Sequence, residues 1–339
     1  MIPKSLQRKA VDIAHESHQR ISKTKALLRE KVWFSGIDEL VKTTLESCLA
    51  CQAVGKAAPP EPVRLTSMPD APWDLVHVDF VGPLPSSEYS LVVIDRYSRY
   101  PEVETVRSTK ASSIIPKLDK IFATHGIPSI VKSDNGPPFS SDEFSNYCKA
   151  LGIKHDPVTP YWPQANGEVE RFNQPLEKAI QTAVLEGRVW RQEINRFLLQ
   201  YRTTPHSITK VAPCELLFNR QVRGKLPIIE RKIIVDKHAE ARENEEKSQV
   251  YHKKYADKRR NAKESVITVG DTVLVKQIHR NKLTSRFSHT PYIVISRKGS
   301  RVTAKNRHGY YITRNISYFK RFARDAVFDD SESEDNTIY

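Results

Sequence analysis

Five prolines between residues 59 and 72 (Pro59, Pro60, Pro62, Pro69 and Pro72) cut the chain near its first sixth. Proline removes a backbone donor and biases the residue before it towards extended geometry, so 53–72 reads as a linker. That isolates residues 1–52, a segment too short to bury a sufficient core without a staple. The staple is not a disulfide framework, because 339 residues contain only four cysteines. No apolar run approaches the roughly 18–20 residues of a membrane span. Residues 1–14 lack the apolar stretch and small-residue cleavage site of a secretory signal.

A metal fills the role. His15-x2-His18 precedes Cys48-x2-Cys51, with 29 residues between the pairs. Residues three apart share a helix face, so the spacing predicts that both imidazoles converge. Two thiolates separated by two residues form the usual knuckle around one ion. Helical patterns over Lys25–Lys31 and Ile37–Leu45 turn the chain back between the pairs. His15, His18, Cys48 and Cys51 are therefore expected to hold one structural Zn²⁺ whose binding energy is folding energy. Cys148 and Cys214 lack a partner motif and read as buried thiols.

The formal charge of +14 is unevenly spread. Between Tyr251 and Arg324 there are 19 Lys and Arg against three acids, whereas 325–339 holds six acids and no base. A concentrated basic block is the footprint of a polyanionic partner, although charge alone leaves membrane surfaces and acidic proteins open. The acidic tail reads as disordered.

From Trp73 the pattern changes. Strands are expected over Asp74–Val81, Tyr89–Ile94, Pro101–Val106, Ile127–Lys132 and Ile153–Val158. Helices are expected over Lys110–Ala123, over Ser141–Leu151 and from Gly167 onward. Strands followed by strand–helix alternation predict a mixed sheet with covering helices over 73–222. Residues 223–264 read as a connecting segment, with a solvent-exposed helix at Ala239–Ala262. Short alternating stretches in 265–324, separated by turns, predict a small β-barrel.

Three acids stand out. Asp79 lies on an otherwise apolar strand, Asp134 just past another, and Glu170 on the helix starting near Gly167, with 35 residues between the last two. An inward carboxylate is costly unless paired or metal-bound. Hard oxygen ligands suit Mg²⁺ or Mn²⁺, and two such ions promote phosphodiester displacement. Spacing alone is a weak signal in a chain with 40 acids. The surrounding words are more specific: His77-Val-Asp-Phe80, Val93-Ile-Asp-Arg-Tyr-Ser-Arg99, Ser133-Asp-Asn-Gly-Pro-Pro-Phe139 and Tyr161-Trp-Pro-Gln-Ala-Asn-Gly-Glu-Val-Glu-Arg-Phe-Asn173.

Together with the His-His-Cys-Cys set, these words resemble the integrases of Ty3/Gypsy-type LTR retrotransposons over nearly the whole chain. The resemblance implies a multidomain α/β protein: a helical His2Cys2 zinc module, an RNase H-like catalytic core and an SH3-like C-terminal barrel. It implies Asp79, Asp134 and Glu170 as catalytic acids. Glu168 is the nearby competitor, and Asp95 belongs to the second strand without ligating metal. Tyr161, Gln164, Asn166 and Asn173 match positions that contact DNA ends, against plain turn or capping chemistry at the same positions. The implied activity is metal-dependent 3′-end processing and strand transfer of element DNA into target DNA. The implied partners are double-stranded DNA and further copies of the chain, acting in the nucleus without a membrane.

Some positions depart from the pattern. Ser17 and Gln19 stand where the family has glycines, Thr290 where it has Gly before Pro-Tyr, and Pro175 falls inside the helix of Glu170, where a kink is expected. The rival readings are a domesticated, non-catalytic DNA- or chromatin-binding protein and a metal nuclease without strand transfer. The intact triad disfavours the first. The zinc module and basic barrel disfavour the second.

Overall fold

The computed structural model describes residues 2–158, 167–226, 236–277, 281 and 283–322. They fall into two compact units, Val63–Arg259 and a second joining Met1–Pro62 to Arg260–Tyr339.

The second unit begins with four short helices: α1 (Lys4–His15), α2 (Ile21–Lys31), α3 (Ile37–Ser47) and α4 (Leu49–Val54). Their shared core is small: Val11, Ala14, Leu28, Phe34, Val41 and Leu45. Such a core is marginal by itself, as the length argument requires.

The first unit is built on a five-stranded sheet. Its strands are β1 (Leu75–Val81), β2 (Tyr89–Asp95), β3 (Pro101–Val106), β4 (Ile130–Lys132) and β5 (Lys154–His155), in the order β3-β2-β1-β4-β5. β1, β2 and β3 pair antiparallel, while β4 and β5 add in parallel. The expected mixed sheet is present. Alternation sorts the strand residues between two cores. Val76, Val78, Leu91 and Val93 pack with helices α5 (Ala111–His125) and α6 (Asp142–Ala150). Val81, Val92 and Ile94 pack on the other face with α7 (Gly167–Leu185) and α8 (Trp190–Thr203). By the same period, Asp79 belongs to the face that meets α7.

The single long helix expected from Gly167 is two. Gly187 adopts a left-handed φ of 66° and ends α7, the usual role of a glycine just past a helix. A further short helix, α9, spans Pro213–Phe218. At Pro175, where a kink is expected, the helix is continuous. α7 runs through it, as α5 runs through Pro116. Each proline and the residue four before it (Arg171, Ser112) are exposed, so water can satisfy the carbonyl the ring leaves unbonded.

Helix α10 (Lys237–Arg260) corrects the expectation of an exposed connector, because Ala241 and Glu245 are buried. Glu245 accepts from Arg96 at 3.0 Å and from Arg99 at 2.8 Å. The second half of the Pro-rich linker is strapped along the same helix. The Val63 amide donates to Asp257 (2.7 Å), Gln249 to the Thr66 carbonyl (2.9 Å) and Arg242 to the Asp70 carbonyl (2.6 Å).

The second unit ends in an antiparallel sheet of β6 (Thr272–Val275), β7 (Tyr292–Lys298), β8 (Arg301–Asn306), β9 (Tyr311–Asn315) and β10 (Phe319–Arg321). The order is β10-β6-β7-β8-β9 around Val273, Val294, Val302, Ile316 and Phe319. Helix α4 packs on it. Leu49 meets Leu274, Phe287 and Phe322, the Phe287 amide donates to the Ala53 carbonyl (2.9 Å), and Lys320 donates to the Gln52 carbonyl (2.9 Å). The acidic tail lies outside the described residues.

Candidate active site and zinc cluster

The two histidines do not share a helix face as the spacing predicts. α1 ends at His15, the chain turns with the His18 amide on the His15 carbonyl (2.8 Å), and His18 takes a left-handed φ of 51°. The turn aims His18 Nδ1 and His15 Nε2 at the same point, 3.3 Å apart. Cys48 sits immediately before α4 and Cys51 in its first turn, so a helix start forms the knuckle. Cys51 Sγ lies 3.3 Å from His15 Nε2 and 3.5 Å from His18 Nδ1, and Cys48 Sγ lies 3.5 Å from His18 Nδ1. A zinc tetrahedron with bonds of about 2.0–2.3 Å has edges of roughly 3.3–3.8 Å, and these four separations fall in that range. Burial, then the neighbouring His18, lowers the His15 pKa, which keeps the ring neutral as a ligand must be. Burial and the adjacent Cys48 raise the Cys51 thiol to about 11, so a thiolate pair here calls for a cation.

The acidic site is assembled from a strand, a loop and a helix. Asp79 is half-buried on β1, opposite Val92 in register. One carboxylate oxygen accepts from the Phe80 amide at 2.9 Å and the other from Asn173 Nδ2 at 3.1 Å. On α7, Val169, Phe172, Leu176 and Ile180 form the buried stripe. That leaves Glu170 exposed and Asn173 turned toward Asp79. Asp134 is exposed, just beyond β4. Its Oδ1 accepts from the Gly136 amide at 3.2 Å, and a Cβ on Gly136 would lie 3.0 Å from its Oδ2. The turn therefore suits glycine.

The electrostatics tie the three acids together. Asp79 is raised to about 6, first by burial and then by the charges of Asp134 and Glu170, against the bonds from Phe80 and Asn173. Among the described residues no cation pairs with it, and Asn173 Oδ1 is buried without a hydrogen-bond partner. An all-oxygen donor set, a strained carboxylate and an orphaned amide oxygen fit a hard divalent cation. Among the described residues only the His2Cys2 set brings three or more ligand atoms within 4.8 Å. The carboxylates, which repel one another, stand farther apart.

Other expectations sort as follows. Asp95 is fully buried and serves a turn, accepting from the amides of Trp73 (3.0 Å), Tyr97 (3.1 Å) and Ser98 (2.9 Å). Cys148 and Cys214 are free and buried. Tyr161, Gln164 and Asn166 lie outside the described residues, as does the side chain of Glu168. Asn173, singled out for DNA, holds Asp79. The sequence reading missed Ser133 and His155, whose contact links β4 and β5 at 2.8 Å. On the C-terminal sheet, Tyr292 and Tyr318 pack against the core, whereas Tyr310 and Tyr311 are exposed, Tyr311 under Lys305 at 5.2 Å.

The chain matches the integrase zinc binding domain over residues 2–57 and the integrase core domain over residues 69–163. It is 34% identical over 293 residues to an uncharacterized protein of Caenorhabditis elegans, covering 85% of this chain and 22% of that protein. It is 30% identical over 226 residues to the Pro-Pol polyprotein of feline foamy virus, covering 64% of this chain and 19% of the polyprotein. It thus spans about a fifth of the length of these relatives. Its fold is similar, at a TM-score of 0.61 and 17% identity, to a chain of the simian T-cell lymphotropic virus intasome solved in complex with PP2A regulatory subunit B56 gamma. That match covers 93% of this chain and 99% of the other. With an integrase zinc-binding domain followed by an integrase core domain, this chain is a homologue of the integrase-bearing Pol polyproteins of retroviruses and related elements.

Proposed function

We propose that the chain is the integrase of an LTR retroelement of the Ty3/Gypsy type, a polynucleotidyl transferase with an RNase H-like core. It trims the 3′ ends of element DNA and joins them to target DNA in the nucleus. One observation carries the reading: a half-buried Asp79, held by Asn173 and raised by burial and by the charges of Asp134 and Glu170, with no cation among the described residues to neutralise it.

Two Mg²⁺ or Mn²⁺ ions at Asp79, Asp134 and Glu170 would supply Lewis-acid stabilisation of the attacking and leaving oxygens. The chain's own residues do the positioning. Asn173 fixes the Asp79 carboxylate, and the Gly136 amide fixes that of Asp134. Tyr161, Gln164, Asn166 and Asn173 contact the element end in this reading. The basic C-terminal sheet, taken as an SH3-like barrel, meets phosphates through residues such as Lys305 with Tyr310 and Tyr311 beside it. Joining two DNA ends calls for a homo-multimer, which the zinc module helps to assemble.

The test is disintegration, the resolution of a branched DNA that mimics the joined product, with Mn²⁺ or Mg²⁺. The wild type resolves the branch, and Asp134→Asn and Glu170→Gln do not. A folded wild type that binds the DNA but leaves it intact, beside a working integrase, would overturn the reading in favour of a non-catalytic DNA-binding protein.

A further inference from the structure

Asp134 is the least secured of the three acids. It is exposed and stands on a loop past the end of β4, and loop-borne ligands are held less precisely than those on strands or helices. The residue before it is the opposite: Ser133 is fully buried. Ser133 Oγ donates to the Asp134 carbonyl at 2.8 Å and lies 2.8 Å from His155 Nε2. A hydroxyl has one proton. With that proton on the Asp134 carbonyl, the bond to His155 must run from Nε2–H to Ser133 Oγ.

The imidazole is itself held. His155 lies on β5, paired with Val131 of β4. The Asp156 amide donates to the Val131 carbonyl (2.9 Å) and the Val158 amide to the Ser133 carbonyl (2.8 Å). The ring meets the buried Phe144 edge-on, with centroids 5.2 Å apart. Burial lowers its pKa, so the ring is neutral, with one donor nitrogen.

We propose that His155 is a positioning residue for Asp134, acting through Ser133 to fix the main chain that carries this carboxylate. The proposal rests on the functional reading above. Without the relay, Asp134 swings with its loop, and a cation held jointly with Asp79 and Glu170 loses one fixed ligand.

Three variants test it. His155→Leu removes the donor at similar bulk. His155→Gln keeps an N–H three bonds from Cβ, as in the imidazole. Ser133→Ala removes the middle of the relay. The readouts are Mn²⁺ affinity by electron paramagnetic resonance and, separately, kcat and KM for disintegration. Loss of an outer-shell partner typically costs about 10–100-fold in metal affinity or activity. His155→Leu should therefore weaken Mn²⁺ binding and lower kcat by at least about tenfold, with the DNA KM little changed. Ser133→Ala should match it, the double variant should be no worse than either, and His155→Gln should recover most of the loss. Acting as one unit, the two positions are non-additive.

Wild-type affinity and kcat in His155→Leu would overturn the proposal, as would a Gln variant as poor as Leu or additive losses in the double variant. If His155→Leu does not fold, Ser133→Ala decides alone. A wild type that binds Mn²⁺ without resolving DNA would sink the integrase reading while the affinity comparison still decides on His155. A wild type that binds no Mn²⁺ at the acids would overturn both.

Discussion

His15, His18, Cys48 and Cys51 bring their ligand atoms within 4.8 Å of one another, while Asp79, Asp134 and Glu170 do not. The difference follows from charge. Neutral imidazoles and thiols can be packed together without repulsion, and the short helices that carry them depend in turn on the ion. Three carboxylates repel, and a shared divalent cation would relieve that repulsion. A second contrast lies within the core unit. Glu245 is buried and Asp79 half-buried, and burial pushes both acids upward. Burial would raise Glu245, but the guanidinium groups of Arg99 and Arg96 outweigh it and hold the group at about 2. Among the described residues Asp79 has no such partner, and burial raises it to about 6. One acid is neutralised by the chain, and the other calls for a cation from solution.

The largest expected effect is on the zinc cluster. Structural zinc contributes on the order of 10 kcal/mol in small modules, and the six-residue core of this one offers little else. Chelation or Cys51→Ser should abolish the helical fold of residues 2–54. Hydrogen exchange should also show lost protection of the Phe287 amide, which bonds to Ala53. An apo module that keeps its helicity would erase the contrast with the acidic site.

Glu245→Gln comes next. It leaves Arg96 and Arg99 buried beside a neutral amide, and breaking a buried ion pair costs about 3–5 kcal/mol. The melting temperature of the core unit should fall steeply at neutral pH, with the zinc module unaffected. No change would mean that the buried guanidinium groups do not depend on this carboxylate.

Asp79→Asn should have the opposite sign. The folded pKa of about 6 lies above the unfolded value near 3.8. Between those values the folded chain holds a proton that the unfolded chain releases, so stability falls as pH rises through that window. Asn removes the penalty, for a gain of roughly 2–3 kcal/mol at pH 8 and little at pH 4. Urea unfolding at both pH values checks this, and disintegration should be lost. A destabilised Asn variant at pH 8 would remove the case for a strained carboxylate.

The smallest effect is on the basic sheet. Lys305→Ala should lower the salt slope of DNA binding by about one and leave stability within about 0.5 kcal/mol. Fluorescence anisotropy across a salt series reads the slope, and an unchanged slope would remove Lys305 from the phosphate contacts.

Much of this was legible in the residues. The four zinc ligands, the mixed sheet and the position of Asp79 on an apolar strand follow from spacing and alternation. What was not legible depends on tertiary geometry. The His18 turn uses a left-handed backbone that no spacing rule announces. Burial of Glu245 within a run of charged residues required the Arg96–Arg99 turn, 146 residues away along the chain from Arg99. Pro175 marked an expected kink, because its exposure, which lets water satisfy the carbonyl of Arg171, is absent from a one-dimensional pattern. The role of Asn173 at Asp79 needed β1 and α7 to be placed side by side.

The most direct test is native mass spectrometry of the full chain exchanged into Mn²⁺, alongside Asp79→Asn. The account predicts one zinc that survives exchange in both proteins, and Mn²⁺ that loads reversibly on the wild type and is lost in Asp79→Asn. Mn²⁺ loading that is equal in the two proteins, or zinc displaced as readily as Mn²⁺, would contradict it.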